Sequence, residues 1–257
     1  MGVLTIGTNR LRRFLVREGT RITTSAILPI HGSEARHIIN VLRLREGDEI
    51  ELIDGKGTLV RASIKEIEAK RGVVWVLIQG NPILKDDRSP ILLLMSMIKG
   101  DKMDLVIRKA TECGVWGVVP VVTHRSVPTP KSQKRARWNE IALQALKQSK
   151  GLYAPEIFPP IDLRDLAHFF SSADIPTTET RLLLSPGPHH PPLLKLGLES
   201  RPPWAILVGP EGGLDGDEEE FLFGLGFRPV RLGSRVLRAE TAAIVAIGTL
   251  LNCQETS

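Results

Sequence analysis

Apolar and polar positions follow two different patterns along this chain, and the change falls near residue 90. In the first part the period is two. Glu49-Ile-Glu-Leu-Ile-Asp54 alternates and ends at Asp54-Gly55, a turn signal. Leu59–Ile67 alternates again, and Val73-Val-Trp-Val-Leu-Ile78 is a β-branched run with one aromatic. One short helix is predicted between them, with its apolar stripe on Ala35–Leu42 and Ser33 as its cap. Short strands joined by tight turns predict a compact barrel over residues 1–80. Asn81–Pro90, polar and proline-bounded, reads as a linker.

From Ile91 the apolar runs become continuous. Ile91-Leu-Leu-Leu-Met-Ser-Met-Ile98 is a strand of the kind buried on both faces. Asp101–Cys113 is amphipathic, with Met103, Val106, Ile107 and Ala110 on one side, and stops at Gly114. Val118–Val122, Arg181–Ser185, Ala205–Val208 and Pro229–Leu232 read as further strands. Trp138–Gln148, Asp217–Leu225 and Glu240–Leu251 read as further helices. Alternating strands and helices predict an α/β domain with a largely parallel sheet over residues 90–257. Pro186–Pro203, rich in proline, reads as an irregular excursion.

Composition narrows the class. The chain has 257 residues, 42% of them apolar, enough for one large domain or two ordinary ones. No apolar run approaches the roughly 20 residues that span a bilayer, and Met1-Gly-Val-Leu-Thr-Ile6 lacks the pattern of a signal peptide. Cys113 and Cys253 make neither a disulfide framework nor a zinc site and read as packing residues. The expectation is a reduced, cytoplasmic protein without a metal. The net charge of +5 permits a polyanionic partner. Its distribution says more: Arg10, Arg12, Arg13 and Arg17 crowd one segment, and Lys131, Lys134, Arg135 and Arg137 another. Acidic residues gather between Asp215 and Glu220. Such segregation favours a basic face for nucleic acid; ordinary solvated charge is the alternative.

The candidate chemistry sits in two glycine turns. Trp204–Val208 runs into Gly209-Pro-Glu-Gly-Gly213, and Leu232-Gly233-Ser234 leads to a helix that opens with Arg238, Glu240 and Thr241. Ligands of open α/β sheets bind beyond the carboxyl ends of the strands, where glycine permits positive φ or a close approach. Each turn alone is also readable as a plain connection, and the small residues Ala242, Ala243, Ala246 and Gly248 as a tight helix contact. The first turn lacks the Gly-x-Gly-x-x-Gly and Gly-Lys-Ser/Thr patterns of phosphate binders. The helix behind it begins with Asp215, Asp217, Glu218, Glu219 and Glu220, which suit a helix dipole but repel a pyrophosphate. A neutral or cationic nucleoside-like ligand fits better than NAD or ATP; S-adenosylmethionine is one.

Leu207-Val-Gly-Pro-Glu-Gly-Gly-Leu214, together with Leu232-Gly-Ser-Arg-Val-Leu-Arg-Ala-Glu-Thr-Ala242, resembles the SPOUT superfamily of RNA methyltransferases. Within it the match is to the ribosomal RNA small subunit methyltransferase E family, the 16S rRNA uridine N3-methyltransferases. Arg36–Asp48, Lys99–Gly114, and Gln148-Ser149 with Pro155-Glu-Ile157 resemble further segments of that family, in order. The resemblance implies a PUA-like, RNA-binding barrel and a methyltransferase domain with a deep trefoil knot. It also implies a homodimer, 16S rRNA or the small ribosomal subunit as partner, and S-adenosylmethionine held by the knot loops. Carried onto this chain, the cofactor contacts are Leu184, Gly209, Glu211, Gly212, Leu232, Gly233, Val236 and Leu237. Lys147, Ser149-Lys150-Gly151 and Ala239 depart from the family's usual residues; none touches the glycine turns, so the departures bear on RNA contact rather than on methyl transfer.

Methylating uridine N3 requires loss of an imide proton, and the charge spreads onto the flanking carbonyl oxygens. A fixed guanidinium stabilises it, and Arg238 is the candidate. Glu240 is a candidate base or orienter of Arg238, or a helix-start carboxylate answering the dipole. Arg10, Arg12, Arg13, Lys131, Lys134 and Arg135 are candidate phosphate contacts. Phe14 is expected to fill the barrel core, and His37 either meets RNA or is a satisfied structural histidine. The rival readings are a non-catalytic RNA-binding protein, and an enzyme of the same superfamily acting on tRNA or on a ribose 2′-hydroxyl. The barrel-first order and the His37–Asp48 match favour rRNA.

Overall fold

The alternating segments of the first part pair with one another and the apolar runs of the second part pair among themselves, so the chain divides into two units, Met1–Asp87 and Arg88–Ser257. The computed structural model describes residues 11–16, 19–127, 133–171, 175 and 180–256, without the side chains of 133, 255 and 256. Arg10, Arg17 and Lys131 of the expected basic tracks lie outside the described residues.

The first unit holds β1 (Arg12–Leu15), β2 (Ile27–Ile30), α1 (Gly32–Arg36), β3 (Glu49–Ile53), β4 (Thr58–Glu68) and β5 (Val73–Leu84). The strands form one sheet in the order β1-β3-β4-β5-β2, antiparallel except for β1 beside β3. Alternate residues of three strands, Ile50 and Leu52, Val60, Ala62 and Ile64, and Val74, Val76 and Ile78, enter one core. Phe14 is fully buried among them, as its apolar ring dictates. Ser33 does not cap the helix: His31 precedes it without a side-chain hydrogen bond, and Ser33 lies in the first turn. The helical turn widens into a π-helix over His37–Leu42, which Arg43 ends in a left-handed conformation (φ 51°).

The expected linker is mostly strand. β5 runs on to Leu84, with Ile83 opposite Leu59, and β6 begins at Ser89. Pro82 is accommodated within the strand. It falls where the β4–β5 register shifts between Leu59 and Arg61, and a bulge tolerates a residue without an N–H.

The second unit holds β6 (Ser89–Ser96), α2 (Lys102–Glu112), β7 (Val115–Val122), α3 (Gln133–Ser149), β8 (Glu156–Ile157), β9 (Ile161–Asp162) and α4 (Leu166–Phe170). It continues with β10 (Thr180–Leu184), α5 (Leu193–Glu199), β11 (Trp204–Val208), α6 (Gly216–Gly224), β12 (Phe227–Val230) and α7 (Ala239–Thr256). Every strand pair is parallel, in the order β12-β10-β11-β6-β7-β8, with β9 also on β7. The continuous apolar runs follow from burial on both faces. Ile91, Leu93 and Met95 of β6 and Trp204, Ile206 and Val208 of β11 join the core beneath α2, α3, α5 and α7. Leu92, Leu94, Ala205 and Leu207 join the opposite core, under α4 and α6. The proline-rich excursion contains a helix after all. α5 buries Leu193, Leu196 and Gly197, and packs on α7.

Candidate active site

Three parallel strands end level. Leu184 of β10 pairs with Val208 of β11 on one side and with Val230 of β12 on the other. The loops that follow leave from one edge of the sheet, where strand carbonyls and loop amides are free to face a ligand. Their residues enclose a cleft of about 630 Å³. All eight positions expected to contact a cofactor line it: Leu184, Gly209, Glu211, Gly212, Leu232, Gly233, Val236 and Leu237. Arg238 lines it as well, with Val208, Val230 and Ala242 as apolar walls.

The two loops use glycine for different reasons. In the first, Gly213 takes φ +72° and closes a turn through its N–H to the Pro210 carbonyl at 2.9 Å. In the second, Gly233 is not in the left-handed region, and a Cβ there would meet no atom within 4 Å. What glycine provides at residue 233 is an unobstructed wall.

The acidic helix is capped by its own side chains. The Asp215 carboxylate accepts from the Glu218 N–H at 2.9 Å, and Glu218 accepts from the Asp215 N–H at 3.0 Å. These bonds occupy two of the amides at the helix start, where a phosphate would otherwise be drawn. The loop after β7 braces the same segment: His124 N–H donates to Glu218 at 2.7 Å, His124 Nδ1 lies 3.0 Å from Asp215 Oδ2, and Arg125 donates to the Gly212 carbonyl at 3.0 Å. The Glu218 amide, then His124 and the charge of Arg125, hold the Asp215 carboxyl below its ordinary range. Neither His124 nor Arg125 carried a sequence signal of its own; both are placed by the parallel sheet.

Sequence reasoning also assigned no role to Lys102. Its ammonium donates to Glu211 and lies 3.8 Å from Glu240 Oε1. This bond first, with the charges of Lys102, Lys99 and Arg238, keeps the Glu211 carboxyl below the usual range against the opposing effect of burial. Arg238 is exposed; its carbonyl accepts from the Ala242 N–H at 2.8 Å, and its guanidinium has no hydrogen bond or ion pair among the described residues. Glu240 is brought beside the cleft but does not line it, and its side chain is 10% exposed.

The expected RNA contacts separate. Arg12 is exposed on β1. Arg13 is turned inward, its side chain 8% exposed and its guanidinium on Glu51 Oε2 at 2.9 Å, so its donors are not presented to a phosphate. Lys134 is exposed. Arg135 donates to the Ile157 carbonyl at 2.9 Å, and Arg137 pairs with Asp104. The His37 ring meets the edge of Phe14 at 6.0 Å.

Residues 85–251 match the family model of an RNA methyltransferase domain, and residues 30–74 that of an RNA methyltransferase PUA domain. The structure resembles the ribosomal RNA small subunit methyltransferase E of Neisseria gonorrhoeae, solved bound to S-adenosyl methionine. The TM-score is 0.80 with 31% identity, over 94% of this chain and 97% of that one. This chain belongs to the ribosomal RNA small subunit methyltransferase E family. Another member, from Synechocystis, is 28% identical over 88% of this chain and 73% of its own length. A methyltransferase of Legionella pneumophila, solved with bound SAM, superposes with a TM-score of 0.82 at 28% identity, over 95% and 98% of the two chains. The membership covers both units: the PUA-type segment falls in the first and the methyltransferase segment in the second.

Proposed function

We propose that this chain is an S-adenosylmethionine-dependent methyltransferase that methylates N3 of a uridine in the 16S rRNA of the small ribosomal subunit. The observation that carries the reading is the cleft at the level ends of β10, β11 and β12, with Arg238 on its wall, whose guanidinium has no partner among the described residues. Family membership and two similar structures with bound cofactor support it. The cleft suits the proposed ligand. Its walls are apolar at Leu184, Val208, Val230, Leu232 and Ala242, the Glu211 carboxylate on its wall is paired with Lys102, and two of the amides at the start of the acidic helix are already bonded. S-adenosylmethionine, when bound, supplies an electrophilic methyl group.

The chain's own residues then have separable tasks. The loops around Gly209–Gly213 and Leu232–Leu237 hold the cofactor and fix the direction of the methyl group, which converts an encounter into an aligned displacement. Arg238 stabilises the charge that spreads over the uracil carbonyl oxygens as N3 loses its proton. Glu240, behind the cleft and facing Lys102, serves as a positioning group rather than a base. The order β12-β10-β11-β6, in which later strands insert beside earlier ones, supports a trefoil knot threaded by the last segment. We further propose a closed PUA-like barrel at residues 1–80 and a methyltransferase domain at 90–257. Arg10, Arg12, Lys131 and Lys134 are proposed to contact RNA phosphates, and the chain to act as a cytoplasmic homodimer. No described helix is long and apolar enough to cross a membrane, and no described group of acidic, histidine or cysteine side chains is arranged to hold a metal.

Incubating the chain with methyl-labelled cofactor and small-subunit particles, then mapping modified nucleotides, tests the function. N3-methyluridine at one 16S position is expected. Label on tRNA or on a ribose oxygen would overturn the substrate, and no binding of the cofactor by calorimetry would overturn the enzyme.

A further inference from the structure

Three loops leave the same edge of the sheet: those after β6, β11 and β12. β6 and β11 run level there, with Met95 paired to Val208, and Lys102 stands in the first turn of α2, just past β6. Its ammonium bonds Glu211, on the loop after β11, and lies 3.8 Å from Glu240 Oε1, in the first turn of α7 directly behind the second loop. The two carboxylates differ in what they need. Glu211 is 41% exposed and keeps access to water. Glu240 is buried, and its Oε2 has no hydrogen-bond partner. A buried carboxylate depends on the cation that faces it, and among the described residues Lys102 is the cation paired with Glu240.

We propose that Lys102 is a positioning residue of the cofactor cleft: by tying Glu211 to Glu240 it fixes the spacing between the two walls that hold the methyl donor. The proposal rests on the function proposed above. Lysine suits the task because a compact point charge on a flexible stem is readily shared between carboxylates on separate elements, whereas a guanidinium fork favours one partner. The bond also holds the Glu211 carboxyl below its ordinary range, so the contact between Lys102 and the first wall does not wait for the ligand. The walls are therefore set before the cofactor arrives, and less ordering remains to oppose binding.

The full chain is first titrated with S-adenosylmethionine and S-adenosylhomocysteine by calorimetry; absence of binding there would overturn the function, not the clamp. With binding established, Lys102→Met is expected to weaken both ligands about tenfold or more. It should raise KM for the methyl donor by a larger factor than it lowers kcat, and Lys102→Arg should recover part of the affinity. The double variant Lys102→Met with Glu240→Gln no longer buries an uncompensated charge. It is expected to melt close to the unaltered chain and still to bind weakly, which separates wall spacing from folding. Full affinity in the folded single or double variant overturns the clamp. So does a fall in kcat at unchanged affinity, which would place Lys102 in the chemistry.

Discussion

Arg125 donates to the carbonyl oxygen of Gly212 across 3.0 Å, and its stem lies where a Cβ on residue 212 would come within 3.4 Å. One side chain thus holds the first cofactor loop by its backbone and packs in van der Waals range of its fourth position. The contact joins segments 87 residues apart, and it exists because β6 and β11, between β7 and β10, bring the loop after β7 to the same edge of the sheet.

Removing this brace is expected to loosen the loop without unfolding the domain. A hydrogen bond from a charged donor contributes about 1.5–3 kcal/mol when buried. Arg125 is exposed, so about 1 kcal/mol is a better figure after solvent screening. Arg125→Ala should therefore weaken S-adenosylmethionine about fivefold while the melting temperature stays nearly unchanged. Calorimetric titration beside a thermal melt checks both halves; a large loss of stability with intact affinity would contradict the assignment.

Gly233 gives a cleaner test of the second wall. A Cβ at this position meets nothing within 4 Å and φ is not positive, so the fold has no objection to a side chain. The cleft does. Gly233→Val should leave stability within about 0.5 kcal/mol and raise the dissociation constant for the cofactor by about tenfold or more. Equal binding by this variant would mean that the ligand does not approach residue 233.

Arg238 is exposed on the cleft wall and its guanidinium has no partner among the described residues, so its removal costs the native fold little. Its proposed task arises only when charge develops on the uracil. Arg238→Ala should lower kcat by about 10²–10³, the range seen when one charge-stabilising donor is lost, with cofactor affinity changed by no more than a small factor. Arg238→Lys should restore only part of this, since an ammonium lacks the planar fork. Single-turnover methylation of small-subunit RNA measures it, and a rate near that of the unaltered enzyme would remove Arg238 from the mechanism.

Asp215 sets a pH dependence whose sign follows from its neighbours. The Glu218 amide and His124 hold its carboxyl below the ordinary value of 3.8. A group whose folded value is depressed contributes stability that is fully present above its unfolded value and lost as pH falls through the folded one. Asp215→Asn should therefore lower the melting temperature at neutral pH, and the gap between variant and unaltered chain should close as pH drops below 3.8. A gap independent of pH would show that the cap works through shape rather than charge.

The parts of this molecule legible in the sequence are those where one local pattern decides. Strands β3 and β4 alternate because one face is buried, β6 and β11 do not because both are, and the two glycine turns sit at strand ends. The acid run was legible too, as a helix start that suits the dipole and repels a pyrophosphate; its capping box was not. What was hidden depends on register between distant segments. Lys102 at the start of α2 and His124 and Arg125 on the loop after β7 meet Gly209–Gly213 through sheet order alone. Arg13 looked like an RNA ligand because it stands among arginines, yet the parallel pairing of β1 with β3 puts Glu51 beside it. The π-helix over His37–Leu42 satisfies the same apolar stripe as an α-helix, so no spacing announced it.

Helix α5 was hidden by the prolines around it, and its packing yields the last prediction. Within a helix, glycine costs about 1 kcal/mol relative to alanine, so Gly197→Ala would stabilise an isolated helix. Here a Cβ would come within 2.7 Å of Cys253 Sγ and 3.3 Å of Leu250 Cδ2, both on α7 and both buried. Overpacking of this kind costs about 1–3 kcal/mol, which outweighs the propensity gain. Gly197→Ala should therefore lower stability by up to about 2 kcal/mol, a few degrees in melting temperature for a domain of this size. Cys253→Ala alone leaves a small void and also destabilises. Combined, the new methyl group fills the space left by sulfur, so the double variant should be more stable than the sum of the single effects by about 1 kcal/mol. Strict additivity in a denaturant double-mutant cycle would show that α5 moves away from α7 instead of packing on it at Gly197.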